Sequence, residues 1–147
     1  MEYSQKNSVP LLARGGGSSQ CGQTVGESVV LDYSKHQNKI LELNVEEKYV
    51  WVQPGVVLDH LNAYLKPHGL WFPVDVSTSS RATIGGMSAN NSCGSRSLYY
   101  GNMVHNVLAI EAILDDGSIF NFDQINKNYL ATKNNQDRLY KIIDKFI

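Results

Sequence analysis

Two stretches of this chain carry residue types that could hold a ligand. The longer runs from Pro73 to Gly101 and reads PVDVSTSSRATIGGMSANNSCGSRSLYYG; the shorter runs from Arg14 to Gly22 and reads RGGGSSQCG. Both are crowded with Gly and Ser, the longer adds Thr and Asn, and large apolar side chains are sparse in each. Backbone N–H groups laid open by Gly, hydroxyls of Ser and Thr, and side-chain amides of Asn suit a long ligand with many oxygens. A stretch of this composition is not expected to supply a hydrophobic core, and it is long for a loop without a function. Standing on either side of a hydrophobic block, the two suggest one ligand gripped from two sides. Disorder is the competing reading of the longer stretch, although strand-like apolar sequence flanks it at both ends.

The shorter stretch follows Val9–Ala13, a brief apolar run best read as a buried strand. A strand that opens into a Gly-rich turn can present backbone N–H groups to an anion, because Gly tolerates positive φ and close approach. Two familiar nucleotide motifs fail. The Walker pattern ends in Gly-Lys-Ser or Gly-Lys-Thr, which does not occur. The dinucleotide fingerprint wants Gly where Gln20 stands and a helix next, and Gln23-Thr24-Val25-Gly26 is a poor helix start. The turn is a glycine nest of neither type; a plain connection, or a site for some other nucleotide or sugar phosphate, would look the same.

Other elements must position these stretches. Ser28–Asp32 reads as a second strand, and Ile40–Leu43 with Tyr49–Gln53 as a hairpin turning at Val45–Lys48. Val57, Leu58, Leu61, Tyr64 and Leu65 share one face of an amphipathic helix, with Gly69 suited to its C-terminal cap. Val107–Leu114 and Ser118–Phe122 form a second hairpin around Asp115-Asp116-Gly117. Leu139, Ile142, Ile143 and Phe146 recur at helical spacing in a tail that is helical from about Gln136. Strands mixed with helices, and two hairpins, argue α+β and not a doubly wound parallel sheet.

The 147 residues are 42% hydrophobic and 18% charged, with a net charge of -1, enough for one domain with a real core. Near-neutral charge gives no footprint for nucleic acid. Cys21 and Cys93 stand apart in no metal-like spacing and read as free thiols of a reducing cytoplasm. His60 and His68 read as solvated or capping residues, without an acid or second ligand at usable spacing. Both chain ends look cut from something larger. The uncovered tail stripe predicts self-association or a partner chain.

Taken in order, Arg14-Gly15-Gly16-Gly17-Ser18-Ser19 with Gly22, Pro73-Val74-Asp75-Val76-Ser77, Thr83-Ile84-Gly85-Gly86, Asn90-Asn91-Ser92-Cys93-Gly94 and Tyr100-Gly101 resemble the FAD-binding domain of the FAD-linked oxidases. This is the fold of vanillyl-alcohol oxidase and p-cresol methylhydroxylase. The similarity runs from about Val9 to Phe122 and is strongest to the D-2-hydroxyacid dehydrogenases: D-lactate dehydrogenase, the glycolate oxidase D subunit and D-2-hydroxyglutarate dehydrogenase.

The resemblance implies a two-part α+β fold, truncated at its N-terminus and lacking the cap domain. Residues 1–34 would end a first α/β subdomain, and residues 35–147 would make a second, α+β one. It implies that Arg14, Gly15, Gly16, Gly17, Ser18, Ser19 and Gly22 hold the FAD pyrophosphate, with Thr83, Gly85 and Gly86 approaching from the other side. Pro73, Asp75 and Ser77 would line the flavin end. Asn90, Asn91, Gly94 and Gly101 would continue around the cofactor, and Val107 to Ile110 would reach the adenine. Relatives with covalent flavin carry His after the glycine triplet, where this chain has Ser18, and Cys93 is not placed for a thioether; FAD is expected to be non-covalent. His105 follows the Tyr-Gly pair and reads as a surface residue or as one approaching the flavin. No catalytic residue and no metal ligand is assigned. The implied activity is oxidation of a D-2-hydroxy acid to the 2-oxo acid, with hydride passing to the flavin. The substrate would be held by segments absent here, in the cytoplasm or peripheral to the inner membrane through those segments. The alternative is a non-catalytic FAD- or nucleotide-binding fragment that needs a partner.

Overall fold

The structure, a computed structural model, describes residues 2–122 of the chain. It divides into two compact units, Met1–Val107 and Leu108–Ile147; of the second, residues 108–122 are described.

The first unit opens with a short helix, α1 (Glu2–Asn7), and turns sharply at Ser8, whose φ is 53°. Pro10 has no N–H to give a ladder, so the first strand, β1 (Leu11–Arg14), starts later than Val9. It pairs in parallel with β2 (Val29–Asp32), Leu11 opposite Val29 and Arg14 opposite Asp32. Beyond the pair, Ser34 gives both its N–H and its hydroxyl to Asp32 Oδ1 (2.9 and 2.6 Å). These bonds, with a lesser pull from Arg14, hold the Asp32 carboxyl below its ordinary range.

The expected hairpin is present as β3 (Ile40–Asn44) and β4 (Tyr49–Val52), antiparallel, with a bulge between Ile40 and Glu42. Across it Tyr49 donates its hydroxyl to Glu42 (2.6 Å), which pushes the phenol pKa up. The inner face, Ile40, Leu43, Val50 and Val52, packs on Val56, Leu61 and Leu65. The amphipathic helix is α2 (Leu58–Leu65), which buries Leu58, Leu61 and Leu65. Tyr64 faces out, and Val57 is the extended residue before the helix. A single 3₁₀ turn, Lys66–His68, ends at Gly69 with φ 69°, the left-handed cap expected there.

The longer Gly/Ser stretch departs from expectation. It supplies core: Val74, Ala82 and Met87 are buried with Leu58 of α2 and Met103, and Thr83 is 1% exposed. The physical reason is backbone pairing. Residues 79–85 run beside 54–59, with Asp59 N to Ser79 O (3.2 Å), Leu58 N to Ala82 O (3.0 Å), Ile84 N to Val56 O (2.8 Å) and Gly85 N to Pro54 O (2.8 Å). The small side chains let the two backbones lie close, and the few apolar ones point into the space beneath. Three short helices follow: α3 (Ile84–Ala89), α4 (Ser97–Tyr100) and α5 (Met103–Asn106).

The second unit shows β5 (Ile110–Ile113) and β6 (Ile119–Phe122), the second expected hairpin, with Ile113 opposite Ile119 and Ile110 opposite Phe122. Its turn contains Gly117 at φ 83°, and Ser118 donates its N–H to Asp116 (2.8 Å). The expected strand from Val107 begins three residues later. The helical tail expected from Gln136, with Leu139, Ile142, Ile143 and Phe146, lies outside the described residues. Among those residues no helix is long and apolar enough to cross a membrane, and no three His, Cys, Asp or Glu side chains cluster as metal ligands.

Candidate functional site

The first unit contains a cleft of about 220 Å³. One wall is the end of β1 and the turn after it: Ala13 to Ser19, with Gln23 and Thr24. The other comes from the longer stretch: Val76, Thr78, Ala82, Thr83, Gly86, Met87, Ala89, Asn90 and Ser92. The two Gly/Ser stretches therefore do face each other across one space. They touch at its base, where glycine is obligatory: a Cβ on Gly16 would lie 3.0 Å from the Arg81 carbonyl carbon and closer still to its oxygen.

The two walls offer different chemistry. The N–H groups of Gly15, Gly16, Gly17, Ser18 and Ser19 have no acceptor among the described residues. Gly17, at φ 62°, gives the turn a left-handed bend that glycine takes without strain. Arg14 is the sole charged side chain in the lining, and its guanidinium lies over Gly17, where a Cβ would come within 2.6 Å of an Nη. A run of unpaired N–H dipoles beside one guanidinium is an anion site. Opposite, the amides of Ile84 and Gly85 are bound to Val56 and Pro54, and that of Gly86 goes to Thr83 Oγ1 (3.3 Å), the N-cap of α3. That wall presents side chains: Thr78, Thr83, Asn90 and Ser92.

Of the residues singled out from sequence, the cleft brings together Arg14, Gly15, Gly16, Gly17, Ser18, Ser19, Thr83, Gly86 and Asn90. The others are not in its lining. Gly22, at φ 82°, belongs to the outer part of the shorter loop. Gly85 packs against Pro54. Asn91, at φ 47°, accepts the Val104 N–H of α5 (3.0 Å). Val107 packs on the core around Met103, and Ile110 stands in β5 of the second unit. Gly101, at φ 76°, caps α4.

Pro73 and Ser77 are also outside the lining, and Asp75 and Gly94 belong to a neighbouring turn. Asp75 accepts from Ser95 Oγ (2.7 Å) and from the Arg96 N–H (3.0 Å), with Arg96 Nε at 3.5 Å. The Ser95 bond first, then the Arg96 N–H, lowers the Asp75 pKa. Gly94 lies against the Asp75 backbone. The Arg96 guanidinium sits 5.1 Å from the Trp71 ring centroid. His105 is exposed, and its Nδ1 accepts the Asn102 N–H (3.3 Å) in the capping box of α5. That is a capping role.

Sequence reasoning missed Ala13, Gln23, Thr24, Val76, Thr78, Ala82, Met87, Ala89 and Ser92. Gln23 and Thr24 continue the loop that was singled out, and Thr78 and Ser92 share its chemistry. Ala82 and Met87 carry no such signal; only the packing of residues 79–85 on 54–59 brings them to the cleft.

The sequence matches the FAD binding domain family over residues 1–123. It is 46% identical over 119 residues to D-2-hydroxyglutarate dehydrogenase of Haemophilus influenzae, covering 81% of this chain and 12% of that protein. It is 40% identical over 123 residues to the mitochondrial D-lactate dehydrogenase [cytochrome] of Kluyveromyces lactis, covering 81% of this chain and 21% of that one. The chain thus spans a small fraction of the length of these curated relatives. Among solved structures, 6-hydroxy-D-nicotine oxidase from Arthrobacter nicotinovorans superposes with a TM-score of 0.75 at 18% identity, over 88% of this chain and 28% of that one. An alkyldihydroxyacetonephosphate synthase superposes with a TM-score of 0.73 at 24% identity, over 86% of this chain and 24% of that one. These neighbours share the p-cresol methylhydroxylase type of α+β fold, as expected. The cleft fits the cofactor: unpaired amides and one guanidinium suit a diphosphate. With family, fold and cleft in agreement, this chain belongs to the FAD binding domain family of the FAD-linked oxidases, and its cofactor is FAD.

Proposed function

We propose that this chain is the FAD-binding part of a flavin-dependent oxidoreductase that oxidises a D-2-hydroxy acid to the 2-oxo acid. The observation that carries the binding half is the row of unpaired N–H groups from Gly15 to Ser19 beside Arg14. These hold the FAD pyrophosphate by dipoles and one charge, while Thr83 and Asn90 approach from the opposite wall. Bound FAD supplies a hydride acceptor, which no side chain of this chain can be. The attachment is non-covalent, because the residue after the glycine triplet is Ser18, whose hydroxyl forms no histidyl link.

The substrate class rests on the relatives, which include D-2-hydroxyglutarate dehydrogenases, D-lactate dehydrogenases and a glycolate oxidase subunit GlcD of Bacillus subtilis. Residues 1–34 are read as the end of a first subdomain, in keeping with the parallel β1–β2 pair. Residues 35–147 are read as a second one, in keeping with the antiparallel β3–β4 and β5–β6 pairs. Gly22, Pro73, Asp75, Ser77, Gly85, Asn91, Gly94, Gly101, Val107 and Ile110 remain part of the proposal as residues of the extended cofactor surround. The group that holds the substrate carboxylate is assigned to none of the described residues.

A visible spectrum of the purified protein, taken before and after adding FAD and desalting, tests the reading. Retained flavin bands, released into the supernatant on acid precipitation, are the expected result. A folded protein that keeps no flavin would remove the binding half. Turnover is then sought with D-2-hydroxyglutarate, D-lactate and glycolate, and activity on none of them would remove the substrate class.

A further inference from the structure

The two walls of the cleft are joined in two unlike ways. At the base Gly15 and Gly16 are pressed against Thr83 and Arg81 with no room for a side chain, so this end is pinned by backbone packing. At the outer end a single side-chain bond crosses between the walls: Gln23 donates its Nε2 to Asn90 Oδ1 at 3.1 Å. The partners are 67 residues apart in sequence, both are solvent-exposed, and both line the cleft. The unpaired amides of Gly17, Ser18 and Ser19 stand in the chain between the pinned glycines and Gln23.

A channel fixed at one end and bridged at the other by one exposed hydrogen bond has the geometry of a hinge and a clasp. Exposed side-chain bonds exchange with water at small cost, so this one opens readily to admit a ligand. Once the ligand lies on the amides, re-closing it bars the way out. The carbonyl of the Asn90 side chain is turned toward Gln23, and so serves the bridge.

We propose that the Gln23–Asn90 bond is a clasp across the cleft, closing over the bound cofactor and setting how fast it leaves, so that Gln23 is a further residue of the site. This rests on the FAD reading of the cleft. It differs from a direct contact of Gln23 with the cofactor in one measurable respect: a residue that acts only through another adds no loss once that other is removed.

The test is FAD release, followed by the return of flavin fluorescence after dilution into excess competing apoflavoprotein, for the protein as it stands and four variants. Gln23→Ala should release FAD about fivefold faster, the scale of one hydrogen bond, and the double variant should release it no faster than Asn90→Ala alone, whose loss also includes that residue's own approach to the cofactor. The exchanged pair Gln23→Asn with Asn90→Gln, which conserves the combined reach, should return to within about twofold of the parent rate. Unchanged release from Gln23→Ala, or losses that multiply in the double variant, would overturn the clasp while leaving FAD binding intact. A parent protein that takes up no FAD overturns the reading beneath it, and is told apart by the parent alone.

Discussion

Gly15–Ser19 and Thr83–Gly86 are glycine-rich segments that meet at one cleft, yet they use their backbone donors in opposite ways. On the first side the backbone donors are left open, although Gly15 and Gly16 also let the turn sit against Thr83 and Arg81. On the second the donors are satisfied by Pro54, Val56 and the Thr83 hydroxyl, and glycine serves to seat one piece of protein on another. The difference is set by neighbours. Residues 79–85 lie beside 54–59 and can pair with them, whereas the turn after β1 touches the opposite wall only at its base. Glycine therefore signals closeness of backbone on both walls, and tertiary pairing determines whether the donors beside it are satisfied or left open.

The sharpest way to break this contrast is a matched pair of substitutions. Gly16→Ala puts a Cβ into the Arg81 carbonyl, lifting the turn off the base of the cleft. FAD affinity should fall by about a hundredfold, and the urea midpoint of the apoprotein should fall as well, because the Arg81 carbonyl is backbone and cannot swing aside. Gly85→Ala drives a Cβ to 2.5 Å from Pro54 Cβ. It should cost about 1–3 kcal/mol of stability, with FAD affinity of the folded protein within about threefold of the parent. If Gly85→Ala weakened FAD as much as Gly16→Ala without loss of stability, the two walls would be doing the same job.

Thr83 sharpens the contrast, since its buried hydroxyl caps α3 and also lines the cleft. Thr83→Ala should cost about 1 kcal/mol of stability, and Thr83→Ser should restore it. FAD titrations of the two then separate the hydroxyl's capping from its approach to the ligand. Stability retained in the Ala variant would mean the cap is idle.

The smallest effect is expected at Asp75, whose carboxylate serves the protein's own turn. Its pKa in the fold is depressed below the ordinary 3.8 by Ser95 and the Arg96 N–H. Its stabilisation is therefore complete above that value and is lost as pH falls through the folded pKa. Asp75→Asn should lower the urea midpoint slightly at pH 6, and the two midpoints should converge as the pH drops below about 4. A gap that persisted under acid would show that the charge is not what holds residues 95 and 96.

Much of the molecule was legible in local pattern. The β3–β4 hairpin follows from a β-branched and aromatic run after a polar turn, α2 from its apolar spacing, and Gly69 from the left-handed cap such a helix needs. The motif order from Arg14 to Gly101 pointed to the family, and nine of the residues it singled out line the cleft. Those readings succeed because each depends on neighbours within a turn or a strand.

Sequence by itself thus determined the glycine turn, the hairpins, the amphipathic helix and the kinship. Only tertiary structure decided that Val74, Ala82, Thr83 and Met87 of a polar-looking stretch are core, that Asp75 is engaged by Ser95 and Arg96, and that Gln23 meets Asn90. The physical reason is the same in each case. A backbone donor or a small side chain has many partners that would satisfy it, and the choice among them is made by residues tens of positions away brought close only when the chain packs.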